Sequence, residues 1–272
     1  MRSLKENIEK ELSTQEGTFA VAFKDLSTSK EVLINDTVTF HAASTMKTPV
    51  LVEVYKQAVQ EKFSLADSLL IKNEFKSIAD GSQYILDSTD DSETELYKHI
   101  GEKRTISFLV YQMIIVSSNL ATNLIIELVD AKNVSATMRE LGANDIHVLR
   151  GVEDGKAFAM GFNNTITAHG LMTLFEKMAK GKTVDNVASQ AMIDILFDQK
   201  FNDIIPAGLP ANVKVAHKTG FITGVHHDSG IIFLPDGRKY VLVLLSKNLT
   251  NEKAAVKAMA NVSKLIYEFV TK

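Results

Sequence analysis

The chain has 272 residues, 45% of them hydrophobic and 23% charged, so it is long enough to bury a substantial core. This composition excludes a disordered, collagenous or low-complexity protein. Thirty Lys and Arg residues against 33 Asp and Glu residues give a net charge of -3, which supplies no positive field to hold a polyanion. We therefore expect no nucleic-acid partner.

The sequence contains no cysteine, so disulfides, thiolate nucleophiles and cysteine metal sites are excluded together. The first residues predict a charged amphipathic helix and lack the apolar segment typical of a secretion signal. The longest apolar runs, at 109–116 and 240–245, are far shorter than the ~20 residues that span a membrane. We expect neither a secretion signal in this sequence nor a membrane span.

In the first part of the chain, the pattern predicts a helix over 3–12, an alternating strand at Phe19, Val21 and Phe23, and a second strand at Glu31–Ile34. A helix should begin at Ser44. The polar residues 63–101 predict helical turns with long loops. Later helices are expected over 105–116, 120–130, 134–141, 168–180, 184–197 and 251–270. Strands are expected over 213–217, 229–234 and 240–245, with a Pro-Asp-Gly hairpin turn at 235–237.

Two strands near the start and three near the end lack the strand–helix alternation of a doubly wound parallel sheet. We therefore predict an α+β fold of the α/β sandwich type. One antiparallel five-stranded sheet would be built from both chain ends, with flanking helices and an all-helical lobe. Residues 1–42 and 206–272 would form the sheet-containing lobe and residues 43–205 the helical lobe, which includes a long loop at 142–164. The active site would lie between the lobes.

Ser44 and Lys47 form a Ser-x-x-Lys pattern at the predicted helix start. The lysine lies one turn further along the same helix face, so its amine is within reach of the serine oxygen. Backbone N–H groups at a helix start also favour an oxyanion. The alternative is an N-cap serine followed by an exposed lysine. The pattern recurs at Ser27 and Lys30, in a turn with no helix to align the pair.

Two further motifs follow. Residues 117–119, Ser-Ser-Asn, lie at the junction of two apolar helices, where a polar triplet is costly to bury. Residues 218–220, Lys-Thr-Gly, end a strand-like run with a glycine that allows close approach of another backbone or a ligand. Taken alone, the first motif could be a helix cap and the second a turn.

In this order, the three motifs resemble those of the penicillin-recognising serine hydrolases, and most closely the class A β-lactamases. The resemblance covers nearly the whole chain. It implies that Ser44 is the acylated nucleophile and Lys47 its proton acceptor or relay. Ser117 would pass the proton to the leaving nitrogen. The substrate-binding residues implied are Asn119 for the side-chain amide, Lys218 and Thr219 for the carboxylate, Gly220, and Phe221, whose N–H would complete an oxyanion hole with that of Ser44.

The long loop departs from the family pattern. Glu153 is the implied deacylating base, and Asp154, which replaces a proline, is the competing carboxylate. Ala157 replaces the asparagine that helps hold the water. Arg150 is shifted by one position, and Asn164 stands where its acidic partner would be.

Other departures lie near the motifs. Ser118 replaces the aspartate of the family triplet, Phe221 replaces a small residue, and Ser229 replaces an arginine. His226 and His227 suggest a metal, but adjacent strand residues point to opposite faces, so we expect no metal site.

The resemblance implies a periplasmic or secreted bacterial serine β-lactamase, acting in antibiotic resistance as a monomer on a small-molecule substrate without a cofactor. One alternative is a D-alanyl-D-alanine carboxypeptidase or esterase of the same fold. Another is a penicillin-binding sensor domain that acylates without turnover.

Overall fold

The computed structural model describes residues 1–272 as nine α-helices, eleven strands and three short 3-10 turns. The helices are α1 (Arg2–Leu12), α2 (Lys47–Val59), α3 (Ile106–Ile115), α4 (Asn119–Val129), α5 (Ala131–Glu140), α6 (Gly155–Ala159), α7 (Ala168–Ala179), α8 (Asn186–Phe197) and α9 (Glu252–Val270). The strands are β1 (Thr18–Asp25), β2 (Glu31–Ile34), β3 (Phe40–His41), β4 (Ser68–Leu70), β5 (Phe75–Lys76), β6 (Gln83–Tyr84), β7 (Lys103–Thr105), β8 (Thr165–Ile166), β9 (Lys214–Ile222), β10 (Val225–Phe233) and β11 (Lys239–Lys247).

Five strands form one antiparallel sheet in the order β2-β1-β11-β10-β9. The first long strand pairs with the last over its whole length, from Thr18 opposite Lys247 to Asp25 opposite Tyr240. A tight turn with Gly237 at φ 87° joins β10 to β11, a conformation that favours glycine. The predicted sheet, built from both chain ends, is confirmed, and so is the α+β fold class.

The sheet buries both faces because its strands alternate two sets of apolar side chains. Phe19, Val21 and Phe23 pack on the side of α1 and α9, whereas Ala20 and Ala22 face the helical middle of the chain. The division of the chain into two lobes at residues 42 and 206 stays a prediction. No helix is both long and apolar enough to cross a lipid bilayer.

The helix expected at Ser44 begins differently. Ala43–Met46 form a 3-10 turn, in which the Thr45 N–H bonds the Ala42 carbonyl, and α2 begins only at Lys47. Pro49 explains the difference in part, since it has no N–H to bond the Thr45 carbonyl in α-helical fashion. The long loop also differs from expectation, because it contains the short helix α6.

Candidate active site

Ser44 lies in the 3-10 turn, directly against the edge strand β9. A Cβ atom added at Gly220 would meet the backbone nitrogens of Ser44 and Thr45 at 3.1 Å, so this approach suits glycine. Two cavities meet at Ser44. The front cavity is lined by residues that include Ser117, Asn119, Thr219, Phe221 and His226. The loop cavity lies on the other side, and its lining includes Asn119, Glu153, Phe158 and Phe221.

Lys47 is fully buried one turn after Ser44. Its Nζ donates to the Ser117 carbonyl at 2.6 Å, to Ser117 Oγ at 3.1 Å and to Asn119 Oδ1 at 2.8 Å. Burial lowers the pKa of Lys47 to about 7, although the charges of Asp91 and Glu153 oppose that shift. A sizeable fraction of this amine is therefore neutral near pH 7 and able to accept a proton. The structure shows no hydrogen bond between Lys47 and Ser44.

Ser117 connects two buried lysines. Its backbone has φ 60°, in the left-handed region, at the junction of α3 and α4. Its Oγ accepts hydrogen bonds from Lys47 and from Lys218, each at 3.1 Å. Lys218 also donates to the Thr219 carbonyl at 2.9 Å. Burial, followed by the charge of Lys47, lowers the pKa of Lys218 well below its ordinary value, because two ammonium groups this close disfavour each other.

Asn119 joins this pair of lysines to the long loop. Its Nδ2 donates to Glu153 Oε1 at 2.6 Å, while its Oδ1 accepts from Lys47. Burial is the main cause of a raised pKa for Glu153, and the charge of Asp91 adds to it, whereas the Asn119 hydrogen bond opposes it. A carboxylate with a raised pKa is a stronger base. Glu153 has φ 59°, and left-handed non-glycine residues are common at functional sites.

The Thr219 and Phe221 side chains lie on the same face of β9 and line the front cavity. The Phe221 ring is 61% exposed and packs on the His226 ring, with 4.8 Å between the centroids. Because β9 is an edge strand, half of its backbone groups have no strand partner.

The structure thus brings every predicted site residue to the two cavities or to the hydrogen-bonded network behind them.

The long loop is closed by neutral groups. Arg150 donates to the Phe162 carbonyl at 2.8 Å and to the Gly151 carbonyl at 2.9 Å. The Asn164 side chain accepts from the backbone N–H of Leu149 at 2.8 Å and donates to the Arg150 carbonyl at 3.0 Å. Backbone carbonyls and an amide therefore take the place of the missing acidic partner.

The carboxylate of Asp154 is already hydrogen-bonded within the protein. It is only 1% exposed and accepts hydrogen bonds from Ser77 Oγ at 2.8 Å, from the Ile78 N–H at 2.9 Å and from the Ala157 N–H at 3.0 Å. These three donors use the carboxylate to fasten α6 to the turn between β5 and β6, so Glu153 remains the better candidate for the deacylating base.

Asp91 is a site-supporting residue that the sequence did not reveal. Its buried Oδ2 accepts from the N–H groups of Asn119 at 2.8 Å and Leu120 at 3.0 Å, at the start of α4. Ser118, where the family triplet has aspartate, caps the same helix by accepting from the Ala121 N–H. Asp91 lies in a polar stretch without periodicity, so no signal in the sequence distinguished it from its neighbours.

The two adjacent histidines point to opposite faces of β10. His226 Nε2 lies 3.1 Å from Glu252 Oε2, and His227 Nε2 lies 2.9 Å from the His41 carbonyl. Ser229 is fully buried and its hydroxyl donates weakly to the Lys218 carbonyl at 3.4 Å. None of these side chains belongs to a group of three or more His, Asp or Glu residues placed to hold a metal ion.

Comparison with known proteins identifies the family. A model of the beta-lactamase enzyme family matches residues 3–270. The chain belongs to that family. Beta-lactamase ROB-1 of Haemophilus influenzae is 26% identical to this chain over 174 residues. The match covers 58% of this chain and 53% of ROB-1. The chain thus spans about half the length of that curated relative. A beta-lactamase of Bacillus amyloliquefaciens is 23% identical over 249 residues, covering 90% of this chain and 76% of the relative.

Solved structures share the fold. A beta-lactamase from Sphaerobacter thermophilus DSM 20745 aligns with a TM-score of 0.86 and 23% identity, covering 99% of this beta-lactamase-family chain and 97% of the other. PBP-A aligns with a TM-score of 0.84 and 25% identity, covering 99% and 96%. A PBP-A mutant in an acyl-enzyme complex with penicillin G also aligns at 0.84 and 25% identity, covering 100% and 97%.

Proposed function

We propose that this protein is a serine β-lactamase of class A type, which opens the β-lactam amide through an acyl-enzyme on Ser44. One observation carries the proposal. A continuous hydrogen-bonded network lies beside Ser44 and joins a candidate base on each side of it, through the residues Glu153, Asn119, Lys47, Ser117 and Lys218.

In acylation, the Ser44 hydroxyl attacks the lactam carbonyl carbon and gives its proton to neutral Lys47. The pKa of about 7 suits this amine to accept a proton near neutral pH. As the carbon–nitrogen bond breaks, Ser117 passes a proton to the leaving nitrogen and is resupplied by a lysine bonded to its Oγ. The N–H groups of Ser44 and Phe221 stabilise the oxyanion.

In deacylation, Glu153 takes a proton from a water that attacks the Ser44 ester, and that proton is returned to the Ser44 oxygen, which leaves as the free hydroxyl. The raised pKa of Glu153 favours this step. Asn119 would bind the amide of the substrate side chain, while Lys218 and Thr219, beside the close approach at Gly220, would meet its carboxylate. Together these residues form the proposed active site between the two predicted lobes.

Two features favour a slower alternative. PBP-A and its penicillin G acyl-enzyme share the fold at 25% identity, and Ala157 has no amide with which to steady a water. A D-alanyl-D-alanine carboxypeptidase, an esterase or a penicillin-binding sensor would also acylate at Ser44. Such a protein would differ mainly in how slowly the β-lactam ester is hydrolysed.

Time-resolved intact-mass spectrometry with benzylpenicillin tests the proposal, with Ser44→Ala as the matched control. A transient adduct with accumulating product supports the β-lactamase, and a lasting adduct supports the slower alternative. No adduct in the wild type, or an adduct that persists in Ser44→Ala, contradicts both. Peptide mapping should place the label on Ser44 and not on Ser27 or Ser118.

A further inference from the structure

The backbone N–H groups next to Ser44 are all hydrogen-bonded within the protein. The Ala42 N–H donates to a carbonyl of the long loop at 2.8 Å, and the Thr45 N–H donates to the Ala42 carbonyl at 3.0 Å. The Ala43 N–H donates to Nδ1 of the His41 side chain at 3.1 Å. The Ser44 N–H itself has no acceptor in the protein. Of these four donors, it alone remains available to an oxyanion.

His41 can accept this hydrogen bond because its ring is neutral. Burial, followed by the charge of Arg150, lowers the pKa of His41 below its ordinary value, so near pH 7 the proton lies on Nε2 and Nδ1 is an acceptor. Nε2 is buried without a partner, so the bond from the Ala43 N–H is the only one that the ring makes. The His41 backbone is held separately, by the pairing of β3 with β8 and by His227 Nε2 at 2.9 Å from its carbonyl. The imidazole is therefore a fixed acceptor beside the Ser44 turn.

Ala43 is the residue that this hydrogen bond constrains. Its backbone has φ 43°, a left-handed conformation that a residue with a Cβ adopts only when its surroundings hold it there. The same conformation sets the direction of the next N–H, that of Ser44. Without the Nδ1 acceptor, the Ala43 N–H would lose its partner, and the strained backbone would be free to relax. The Ser44 N–H would then turn away from the position that an oxyanion occupies.

We propose that His41 is a positioning residue for acyl transfer, in which Nδ1 holds Ala43 in the conformation that aims the Ser44 N–H at the carbonyl oxygen of the substrate. This inference rests on the proposed acyl-enzyme on Ser44. Because the oxyanion forms only in the transition state, the contribution of His41 lies in the acylation rate constant and not in substrate affinity. The competing explanation is that the ring only fills space against Phe158, whose ring centroid lies 5.9 Å away.

Two variants of the same shape separate the acceptor from the ring. Asparagine accepts through Oδ1 from the N–H two residues later, as in an Asx turn, whereas leucine has the same branching and no acceptor. Stopped-flow mixing with benzylpenicillin gives the acylation rate constant and the Kd of the preceding complex. We expect His41→Leu to lower the rate constant about 10²-fold, as for loss of one oxyanion donor, and to leave the Kd within about threefold. His41→Asn should restore the rate constant to within about fivefold of the wild type.

A ring that only fills space predicts equal losses in His41→Leu and His41→Asn, because neither variant keeps the ring. That result, an unchanged rate constant in His41→Leu, or a change confined to the Kd would overturn the inference. If circular dichroism shows that His41→Leu does not fold, His41→Ala, which also lacks the acceptor, takes its place in the comparison.

Amide hydrogen exchange, followed by NMR, tests the conformation of the turn without acylation. The Ala43 amide proton should exchange about tenfold faster in His41→Leu than in His41→Asn or the wild type, because it has lost its acceptor. Equal exchange in all three proteins would overturn the inference whatever the mass measurement shows. A wild type that forms no adduct, with the difference in exchange present, would instead contradict the proposed function and leave His41 as the residue that holds the turn.

Discussion

Lys47 is the residue whose chemistry the fold changes most. Its amine is removed from water and surrounded by neutral oxygens, and its pKa falls to about 7. We expect the acylation rate to decrease as the pH falls below about 7, because the protonated amine cannot accept the Ser44 proton. Stopped-flow measurement of acylation from pH 5 to 9 gives this profile. An acidic limb near 4.5 would instead indicate that a carboxylate accepts the proton.

Lys47→Arg separates charge from proton transfer. The guanidinium can donate to Ser117 and Asn119, but it stays protonated at every accessible pH. We expect acylation to fall by about 10³-fold or more, in the range typical of a lost acid–base group. Acylation by Lys47→Arg at the wild-type rate would rule out Lys47 as the proton acceptor.

Glu153 is expected to set the rate of deacylation. This rate distinguishes a β-lactam hydrolase from a protein that stays acylated. Glu153→Gln retains an amide at the same place but cannot take a proton from water, so the variant should acylate at Ser44 and accumulate the acyl-enzyme. Deacylation should be slower by about 10² to 10⁴. A burst equal to the enzyme concentration, followed by a slow steady state, is the kinetic signature. Hydrolysis at the wild-type rate would refute this role, as would a block of acylation as complete as in Ser44→Ala.

Strand β9 positions the Ser44 turn by direct contact. Gly220→Ala would place a methyl group 3.1 Å from two backbone nitrogens, so the turn or the strand must move by a few tenths of an ångström. Such a shift displaces the proposed oxyanion donors from the carbonyl oxygen of the substrate. We expect acylation to fall about 10² -fold, comparable to loss of one oxyanion donor, while the far-ultraviolet circular dichroism stays unchanged. An unchanged acylation rate would show that the close approach has no part in catalysis.

The loop that carries Glu153 is held by Asp154, so its anchoring can be tested separately from its chemistry. Asp154→Ala leaves the Ser77 hydroxyl and two backbone N–H groups without a partner. We expect a loss of about 2 kcal/mol in the free energy of unfolding, with deacylation slowed more than acylation. Asp80→Ala removes an exposed carboxylate on the same hairpin and should be nearly neutral. Urea unfolding and the two rate constants measure these effects, and a larger loss in Asp80→Ala would contradict the assignment.

The sequence predicted most elements because their patterns are strong. Alternation at Phe19, Val21 and Phe23 and the turn at 235–237 mark strands that the structure confirms. The roles of Asp91 and Asp154 escaped prediction, because each acts on backbone groups brought near by folding and no periodicity marks such a residue. The loop closure at Asn164 also escaped prediction. The Asn164 side chain and the carbonyls that accept from Arg150 replace the arginine–carboxylate pair of the family's loop motif.

A buried histidine connects the five-stranded sheet to the segment before Ser44. His227 of β10 has Nε2 at 2.9 Å from the His41 carbonyl, and its Nδ1 lies 2.9 Å from the His226 carbonyl and 3.2 Å from the Ser246 nitrogen. Burial lowers the pKa of His227 to about 4, although the hydrogen bonds to the His41 and His226 carbonyls oppose that shift.

The stability of the molecule should therefore depend on this residue in acid. The pKa in the folded state, about 4, lies below the unfolded value of about 6.5. The unfolded chain consequently binds more protons between these limits, so the contribution of His227 is complete above pH 6.5 and is lost as the pH falls towards 4. The loss amounts to about 3 kcal/mol by linkage.

Urea unfolding of the wild type, His227→Gln and the exposed control His147→Gln at pH 7.5 and 4.5 measures it. The drop in unfolding free energy on acidification should be smaller in His227→Gln by about 2 to 3 kcal/mol and unchanged in His147→Gln. An NMR titration that places the pKa of His227 near 6.5 would contradict this account, because an imidazole that protonates so readily could not also hold the two segments together through its neutral ring.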